Sequence, residues 1–188
     1  MYRIAVTNRH LCQNDFLTQV ERLAKGKQYQ TILLREKDLT EEEYEWLARD
    51  VLLICQKNNT KCILHSYPQT ALRLKHSFLH MPLSLWERLS EEERRAVSVK
   101  MEEMGTSVHS LAQLRQAEEM GASYVIAGHI FETDCKKGLQ PRGLSFLRSL
   151  CGQTDIPVYG IGGINEENEQ SVIAAGASGV CIMSGCME

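Results

Sequence analysis

The sequence predicts a (β/α)8 TIM barrel, because strand-length apolar segments alternate with amphipathic helical patterns along the whole chain. Two further observations favour this class. The apolar segments number eight, which fits a closed barrel better than an open doubly wound sheet. The 188 residues contain no linker, repeat or low-complexity tract, so we expect one domain over residues 1–188.

The predicted strands have the texture of strands that are buried on both faces. Runs such as Tyr124–Ala127 and Val180–Met183 are continuously apolar rather than alternating, as in a parallel sheet that helices cover. The fifth strand has the least distinct start, because the segment from Leu83 to Glu103 shows no clear period. The eight predicted strands are, in order, Ile4–Thr7, Thr31–Leu34, Cys62–His65, Ser77–His80, Met104–Val108, Tyr124–Gly128, Val158–Ile161 and Gly179–Met183.

The predicted barrel apparently lacks its final helix, since only five residues follow Met183. A barrel of this kind usually continues into an eighth helix that covers the last and first strands. Val180 and Ile182, or their neighbours of opposite parity, should then form an uncovered apolar groove. Monomers seldom expose such a surface. We therefore expect a homodimer, or else a shifted first helix that fills the gap.

Composition and charge exclude several classes of protein. The net charge is −3 and no long run of Lys or Arg occurs, so we expect no nucleic-acid partner. The seven cysteines are scattered and include no C-x-x-C pair, which argues against structural zinc and disulfides. The amino terminus enters a predicted strand without a leader-like segment, and no apolar run is long enough for a membrane. These features predict a reduced, cytoplasmic protein.

Glycines follow the seventh and eighth predicted strands, where barrels often hold a phosphate. Gly162 and Gly163 come directly after one strand, and Ser184 and Gly185 come after the other. Glycine lets backbone N–H groups approach an anion closely, and a following helix adds its positive end. Such glycines could also serve only to form tight turns. Because both loops carry them, we favour phosphate binding.

Polar residues mark other strand ends. Arg35 and Lys37 follow the second strand, where they could clamp a carboxylate or phosphate, or Arg35 could simply pair with Glu36 on a solvated loop. Four histidines also stand at strand ends, and they are His65, His80, His109 and His129. Converging imidazoles can bind a metal ion, but no carboxylate accompanies these at ligand spacing, so we expect no metal.

His129 differs from the other strand-end histidines. It begins the polar loop Gly128–Gly138, directly after the most apolar strand of the chain. A histidine at this place suits proton transfer near neutral pH. Cys135 in the same loop has no histidine beside it in the sequence, so we expect an unreactive thiol.

Taken together, these residues resemble the thiamine phosphate synthase superfamily over nearly the whole chain. The matching blocks are, in order, Leu34–Lys37, Ser107–Leu111, Gly121–Val125, Gly128–Gly138, Ile161–Ile164, Ala174–Ala177 and Val180–Gly185. The last five are specific as a set. Within this superfamily the Gly128–Gly138 loop is similar, nearly residue for residue, to the thiazole tautomerase (TenI-type) branch. Synthases typically carry proline at the position of His129.

A second departure from synthases lies at the ends of the third and fourth strands. Synthases place Asn-Asp after the third strand, and that Asp helps to hold the magnesium of a diphosphate substrate, whereas this chain has His65-Ser66. The usual acid after the fourth strand is also absent from His80–Ser84. Without these carboxylates a magnesium site loses its hard oxygen ligands. Arg35 and Lys37, however, are present as in synthases.

The resemblance implies an isomerase of thiamin biosynthesis that acts on a small phosphorylated thiazole. It would aromatise a tautomer that carries a carboxylate and an exocyclic double bond, by proton transfer and without a cofactor or metal. His129 would be the acid–base residue. The implied phosphate-binding residues are Gly162, Gly163, Ser184 and Gly185, and the implied substrate-binding residues are Arg35, Lys37, Ser107 and Lys136. A magnesium-dependent thiamine phosphate synthase and a non-catalytic thiazole phosphate-binding or regulatory protein are the alternatives.

Overall fold

Eight parallel strands close into a barrel in the computed structural model, which describes residues 1–188. Each strand pairs with its neighbours in the chain, and the last pairs with the first. The strands are β1 (Tyr2–Val6), β2 (Thr31–Leu34), β3 (Lys61–His65), β4 (Phe78–His80), β5 (Glu103–Val108), β6 (Tyr124–Gly128), β7 (Val158–Ile161) and β8 (Gly179–Ile182). The predicted TIM barrel is therefore confirmed, and every predicted strand end lies within two residues of the observed one.

Helices connect the strands and surround the barrel. Thr40 and Ser90 each form a capping box with the glutamate three residues later, which fixes where two of these helices begin. The ambiguous segment before the fifth strand contains two short helices. The helices are α1 (Phe16–Gly26), α2 (Glu41–Lys57), α3 (Pro68–Arg73), α4 (Leu83–Arg88), α5 (Glu91–Ser98), α6 (Leu111–Glu119), α7 (Gly143–Cys151), α8 (Glu169–Ala174) and α9 (Ser184–Met187).

The core has two layers, because successive strand residues point to opposite faces. The larger layer lies between the strands and the helices. The smaller layer fills the barrel with side chains such as Leu33, Ile63 and Cys181. Side chains two residues later in the chain also face inward, because every second residue of a strand points to the same face. These side chains are polar or contain sulfur, and they lie at the carboxyl-terminal mouth of the barrel. The inward-directed set at the mouth is Arg35, His65, His80, Ser107 and Met183.

The predicted open groove at the last strand is wrong. Val180 is fully buried and Ile182 is 9% exposed within the single chain. The short helix α9 folds back and buries Cys186 and Met187, and Gln19 of α1 donates to the carbonyl oxygen of Cys186 at 2.6 Å. The four residues of α9, together with α1, thus cover the outer face of β8, which the sequence predicted to be exposed. The homodimer stays a prediction, but an exposed apolar groove no longer supports it.

No helix combines the length and the apolar character that crossing a membrane would require.

Candidate active site at the carboxyl ends of the strands

His129 lies at the carboxyl end of β6, where the chain leaves the barrel. Only 9% of its surface is exposed, and its Nε2 lies 3.2 Å from the carbonyl oxygen of Leu139. Since a carbonyl oxygen only accepts, this contact assigns the ring proton to Nε2 and leaves Nδ1 of the neutral ring as a proton acceptor. A cavity of about 200 Å³ adjoins this ring, and it is lined by His109, Gly128, His129, Lys136, Leu139, Gln140 and Arg142.

The loop that follows His129 is long and open. Residues Glu132–Pro141 border a space of about 770 Å³, and Cys135 and Lys136 are exposed on a single 3-10 turn. His109 holds the start of the loop, because its Nδ1 donates to the carbonyl oxygen of Gly128 at 2.6 Å. The loop therefore has a fixed base beside His129 and an exposed tip that carries Lys136.

Gly162 and Gly163 pack directly against this loop. A Cβ on Gly162 would lie 2.4 Å from the Cβ of His129, and one on Gly163 would lie 2.2 Å from the carbonyl oxygen of Glu132. Both glycines also have positive φ angles, 102° and 65°. The amide of Phe131 donates to the carbonyl oxygen of Gly162 at 3.0 Å. The two glycines thus have a structural role, which is to let two loops meet beside the catalytic candidate.

The same glycines still offer backbone donors. Neither amide of Gly162 or Gly163 donates a hydrogen bond to the protein. Ser184 and Gly185 are exposed at the start of α9, where amides of the first helical turn lack intrahelical partners. Because β7 and β8 are paired, the two loops leave the barrel side by side. The four predicted phosphate-binding residues therefore lie in neighbouring loops with donors that the fold does not use.

Arg35 points into the barrel mouth rather than toward solvent. Its backbone amide donates to Thr7 Oγ1 at 2.9 Å, and the Thr7 hydroxyl donates in turn to Glu36 at 2.6 Å. The carboxylate of Glu36 is buried and pairs with Arg9 at 3.2 Å, so the alternative of an Arg35–Glu36 pair on a solvated loop is wrong. Burial lowers the pKa of Arg35.

Two lysines extend this positive charge. Lys37 is exposed as a whole residue, and partial desolvation of its ammonium group, followed by the charges of Arg35 and Lys136, lowers its pKa. Three cations from two different loops therefore lie close enough to repel one another. None of the three forms an ion pair with an acidic side chain. The mouth of the barrel therefore carries positive charge that no ion pair to these three side chains offsets, which favours the binding of an anion.

His65, His80 and Ser107 form the floor below these cations. The two imidazoles are stacked with their centroids 5.4 Å apart, and both are buried. His80 Nε2 lies 3.0 Å from Ser107 Oγ, and its Nδ1 lies 3.2 Å from the Tyr124 hydroxyl. Burial, with smaller contributions from Lys37 and Arg35, lowers the pKa of His80 to about 3. The floor is therefore polar but uncharged at neutral pH.

Comparisons with known proteins assign the chain to a family. The sequence pattern of the family described as thiamine monophosphate synthase matches residues 3–186. This chain belongs to that family. A thiamine-phosphate synthase of Clostridium acetobutylicum is 30% identical over 97% of this chain and 85% of its own length. A putative thiamine-phosphate synthase 2 of Aquifex aeolicus is 30% identical over 98% of this chain and 96% of its own length.

A solved structure shows the same fold. The thiamine phosphate pyrophosphorylase of Pyrococcus furiosus superposes with a TM-score of 0.84 at 24% identity, covering 100% of this chain and 88% of that one. The members of the thiamine monophosphate synthase family are enzymes of thiamin biosynthesis, so the site at the barrel mouth is that of an enzyme family.

The resemblance to thiamine phosphate synthases implies a magnesium diphosphate at the ends of β3 and β4, but the residues here do not fit that group. His65 and His80 stand at the ends of β3 and β4, and both are neutral, buried imidazoles with partners of their own. Magnesium prefers oxygen ligands, above all carboxylates. No group of three or more His, Cys, Asp or Glu side chains in the chain is arranged to hold a metal ion.

The structure thus brings His129, Lys136 and the glycine loops to the same mouth of the barrel as Arg35, Lys37 and Ser107. Sequence reasoning missed the contacts of His65 and His80 in the floor. The alternation of side chains along each strand was the signal that could have found these contacts. Arg35, His65 and Ser107 each stand two residues after an inward-facing position, so their side chains face the same interior.

Proposed function

We propose that this member of the family is a thiazole tautomerase, which aromatises a carboxylated thiazole phosphate by moving one proton. The observation that carries the proposal is the position of His129, which lines a cavity at the end of β6 and uses Nε2 to contact the carbonyl oxygen of Leu139, so that Nδ1 is the ring nitrogen that faces no protein donor or acceptor. An isomerisation of this kind needs a proton acceptor that can return the proton, and neutral imidazole does both near pH 7.

The proposed chemistry is a balanced proton transfer. The imidazole of His129 accepts the proton from the ring carbon, and the electron pair of that C–H bond forms a ring double bond. The exocyclic double bond shifts its electrons outward, and its terminal carbon takes the proton back from the imidazolium. Substrate and product have the same atoms and oxidation level, so no cofactor takes part. The ring becomes aromatic, which drives the reaction.

The remaining candidates would orient the substrate. In this proposal the amides of Gly162, Gly163 and Gly185, with the Ser184 hydroxyl, bind the phosphate. The substrate carboxylate would lie under Arg35 and Lys37, whose mutual repulsion an anion relieves. Lys136 would approach from the exposed loop, and Ser107 would donate from the floor of the mouth. Two anionic groups held about the ring fix its carbon atoms beside His129.

A thiamine phosphate synthase is the second candidate, because the curated relatives carry that name and Arg35 and Lys37 are present as in synthases. The ends of β3 and β4 oppose it, since His65-Ser66 stands where synthases carry Asn-Asp, and the segment His80–Ser84 lacks the usual acid. A protein that binds the thiazole phosphate without turnover is the third candidate. Such a protein would bind the ligand in the same pocket but would not catalyse the proton transfer.

One experiment separates the three. The purified protein is mixed with the carboxylated thiazole phosphate tautomer, and the ultraviolet absorbance of the aromatic product is followed with a chelator in excess. Turnover that resists the chelator supports the tautomerase. Activity that appears only with magnesium and a diphosphate substrate supports the synthase, and tight binding without turnover supports the binder. The His129→Asn variant is the matched control for non-enzymatic aromatisation.

A further inference from the structure

The floor of the barrel mouth contains a chain of three hydrogen-bonding side chains from three neighbouring strands. Tyr124 stands at the start of β6, His80 at the end of β4 and Ser107 near the end of β5. The Tyr124 hydroxyl and the His80 ring are buried, while Ser107 is partly open to the mouth. The chain therefore runs from the barrel interior to the ligand side.

The direction of this chain follows from counting donors. His80 is the hydrogen-bond partner of the Tyr124 hydroxyl, and a buried hydroxyl that does not donate costs free energy. Tyr124 therefore donates to His80 Nδ1. The ring is neutral, so its single proton is on Nε2, and Nε2 donates to Ser107 Oγ at 3.0 Å. Because the Ser107 oxygen already accepts, its own hydrogen is available to the mouth.

We propose that His80 is a positioning residue that, through Ser107, makes the floor a hydrogen-bond donor for the carboxylate of the ligand. Arg35 faces the same space from β2 and supplies the charge, while the Tyr124–His80–Ser107 chain supplies a directed, uncharged donor. The stacked ring of His65 holds the His80 ring in place at 5.4 Å. The inference rests on the proposed function for the identity of the ligand.

The test is a double-mutant cycle in equilibrium binding, read by calorimetry. The probes are the aromatic thiazole phosphate carboxylate and the same thiazole phosphate without its carboxylate. His80→Gln and Ser107→Ala should each weaken binding of the carboxylated probe roughly tenfold and leave the other probe nearly unchanged. The double variant should be no weaker than Ser107→Ala alone, since His80 acts only through Ser107.

A second variant covers the case in which His80→Gln does not fold. Tyr124→Phe leaves the His80 ring in place and removes the donor that fixes its tautomer, so we expect a roughly two- to fivefold loss for the carboxylated probe alone. In the tautomerase assay these variants should raise KM more than they lower kcat. A purely structural role would instead lower both the unfolding midpoint and the affinity for both probes.

Three results would overturn the inference. The first is full affinity in folded His80→Gln, and the second is an equal loss for the two probes. The third is a further loss when His80→Gln is added to Ser107→Ala. If the unaltered protein binds neither thiazole, the proposed function fails and the inference fails with it, whereas normal wild-type binding with insensitive variants overturns the inference alone.

Discussion

The charged side chains that face the barrel interior are paired at one end of the barrel and unpaired at the other. At the end where the strands begin, Lys61 pairs with Glu103 at 2.5 Å and lies 4.5 Å from the ring centre of Phe78. The Tyr2 hydroxyl forms a hydrogen bond with the Thr31 hydroxyl at 2.6 Å, and the Tyr2 ring packs at a tilt against the Tyr159 ring. At the end where the strands finish, Arg35 and its neighbouring lysines have no acidic partner.

One end is therefore suited to stability and the other to a ligand. Paired charges satisfy one another and close the barrel interior, whereas unpaired cations beside neutral histidines leave the fold with an electrostatic cost that an anionic ligand can offset. The cost is visible in the lowered pKa of Arg35, which its burial causes. Four experiments test whether the two ends differ in this way.

The largest effect is expected at His129. His129→Ala should lower kcat roughly 10²–10⁴-fold and leave the affinity for product nearly unchanged, because the proton acceptor is lost while the anion-binding groups remain. Stopped-flow absorbance measures turnover, and calorimetry measures product binding. His10→Gln is the control and should keep the wild-type turnover, since His10 is an exposed histidine that does not line the cavity. Near-normal turnover of His129→Ala would remove His129 from the mechanism.

The next effect separates affinity from stability at the mouth. Arg35→Met should weaken product binding roughly 10–100-fold and leave the free energy of unfolding unchanged or raised by up to about 1 kcal/mol, because an unpaired, half-buried cation is removed. Calorimetry and urea unfolding measure the two quantities. A variant that loses stability and keeps its affinity would show that Arg35 serves the fold.

The third effect is a pH dependence of stability caused by the neutral histidines. Burial lowers the pKa of His80 to about 3, whereas the pKa of a histidine in the unfolded chain is about 6.5. The unfolded chain therefore binds more protons between these values, and stability is complete above about pH 6.5 and falls as the pH drops. The expected contribution of His80 is up to about 1.4 kcal/mol per pH unit.

Urea unfolding between about pH 4.5 and 6.5 tests this slope, since carboxylates titrate mainly below that window. His80→Gln should show a shallower slope than the unaltered protein. Burial also lowers the pKa of His65, so part of the pH dependence of stability should remain in His80→Gln. An identical slope in His80→Gln would contradict a neutral, buried ring.

The smallest effect is expected at the opposite end. Lys61→Met should lower the free energy of unfolding by about 0.5–1 kcal/mol, because the partly exposed pair with Glu103 and the contact with Phe78 are lost. Its kcat and KM should stay at the wild-type values. A kinetic effect as large as that of Arg35→Met would abolish the distinction between the two ends.

Much of the fold could be predicted because its signals are local. Continuous apolar runs gave the eight strands, and capping residues such as Thr40 and Ser90 fix helix starts through neighbours three residues away. Strand ends converge in any barrel, so the candidates Arg35, Ser107 and His129 could be placed at one mouth. The wrong expectation concerned α9, because the sequence alone does not show that four residues and Gln19 can cover Val180.

The order of strands and helices, the closed barrel and the residues at its mouth could all be predicted from the sequence. Only the tertiary structure decided which of those residues act together. Glu36 turned away from Arg35 toward Arg9 and Thr7, and His80 became the link between Tyr124 and Ser107. The physical reason is that elements follow from neighbours in the chain, whereas pairing and pKa depend on distances and burial between strands far apart in sequence.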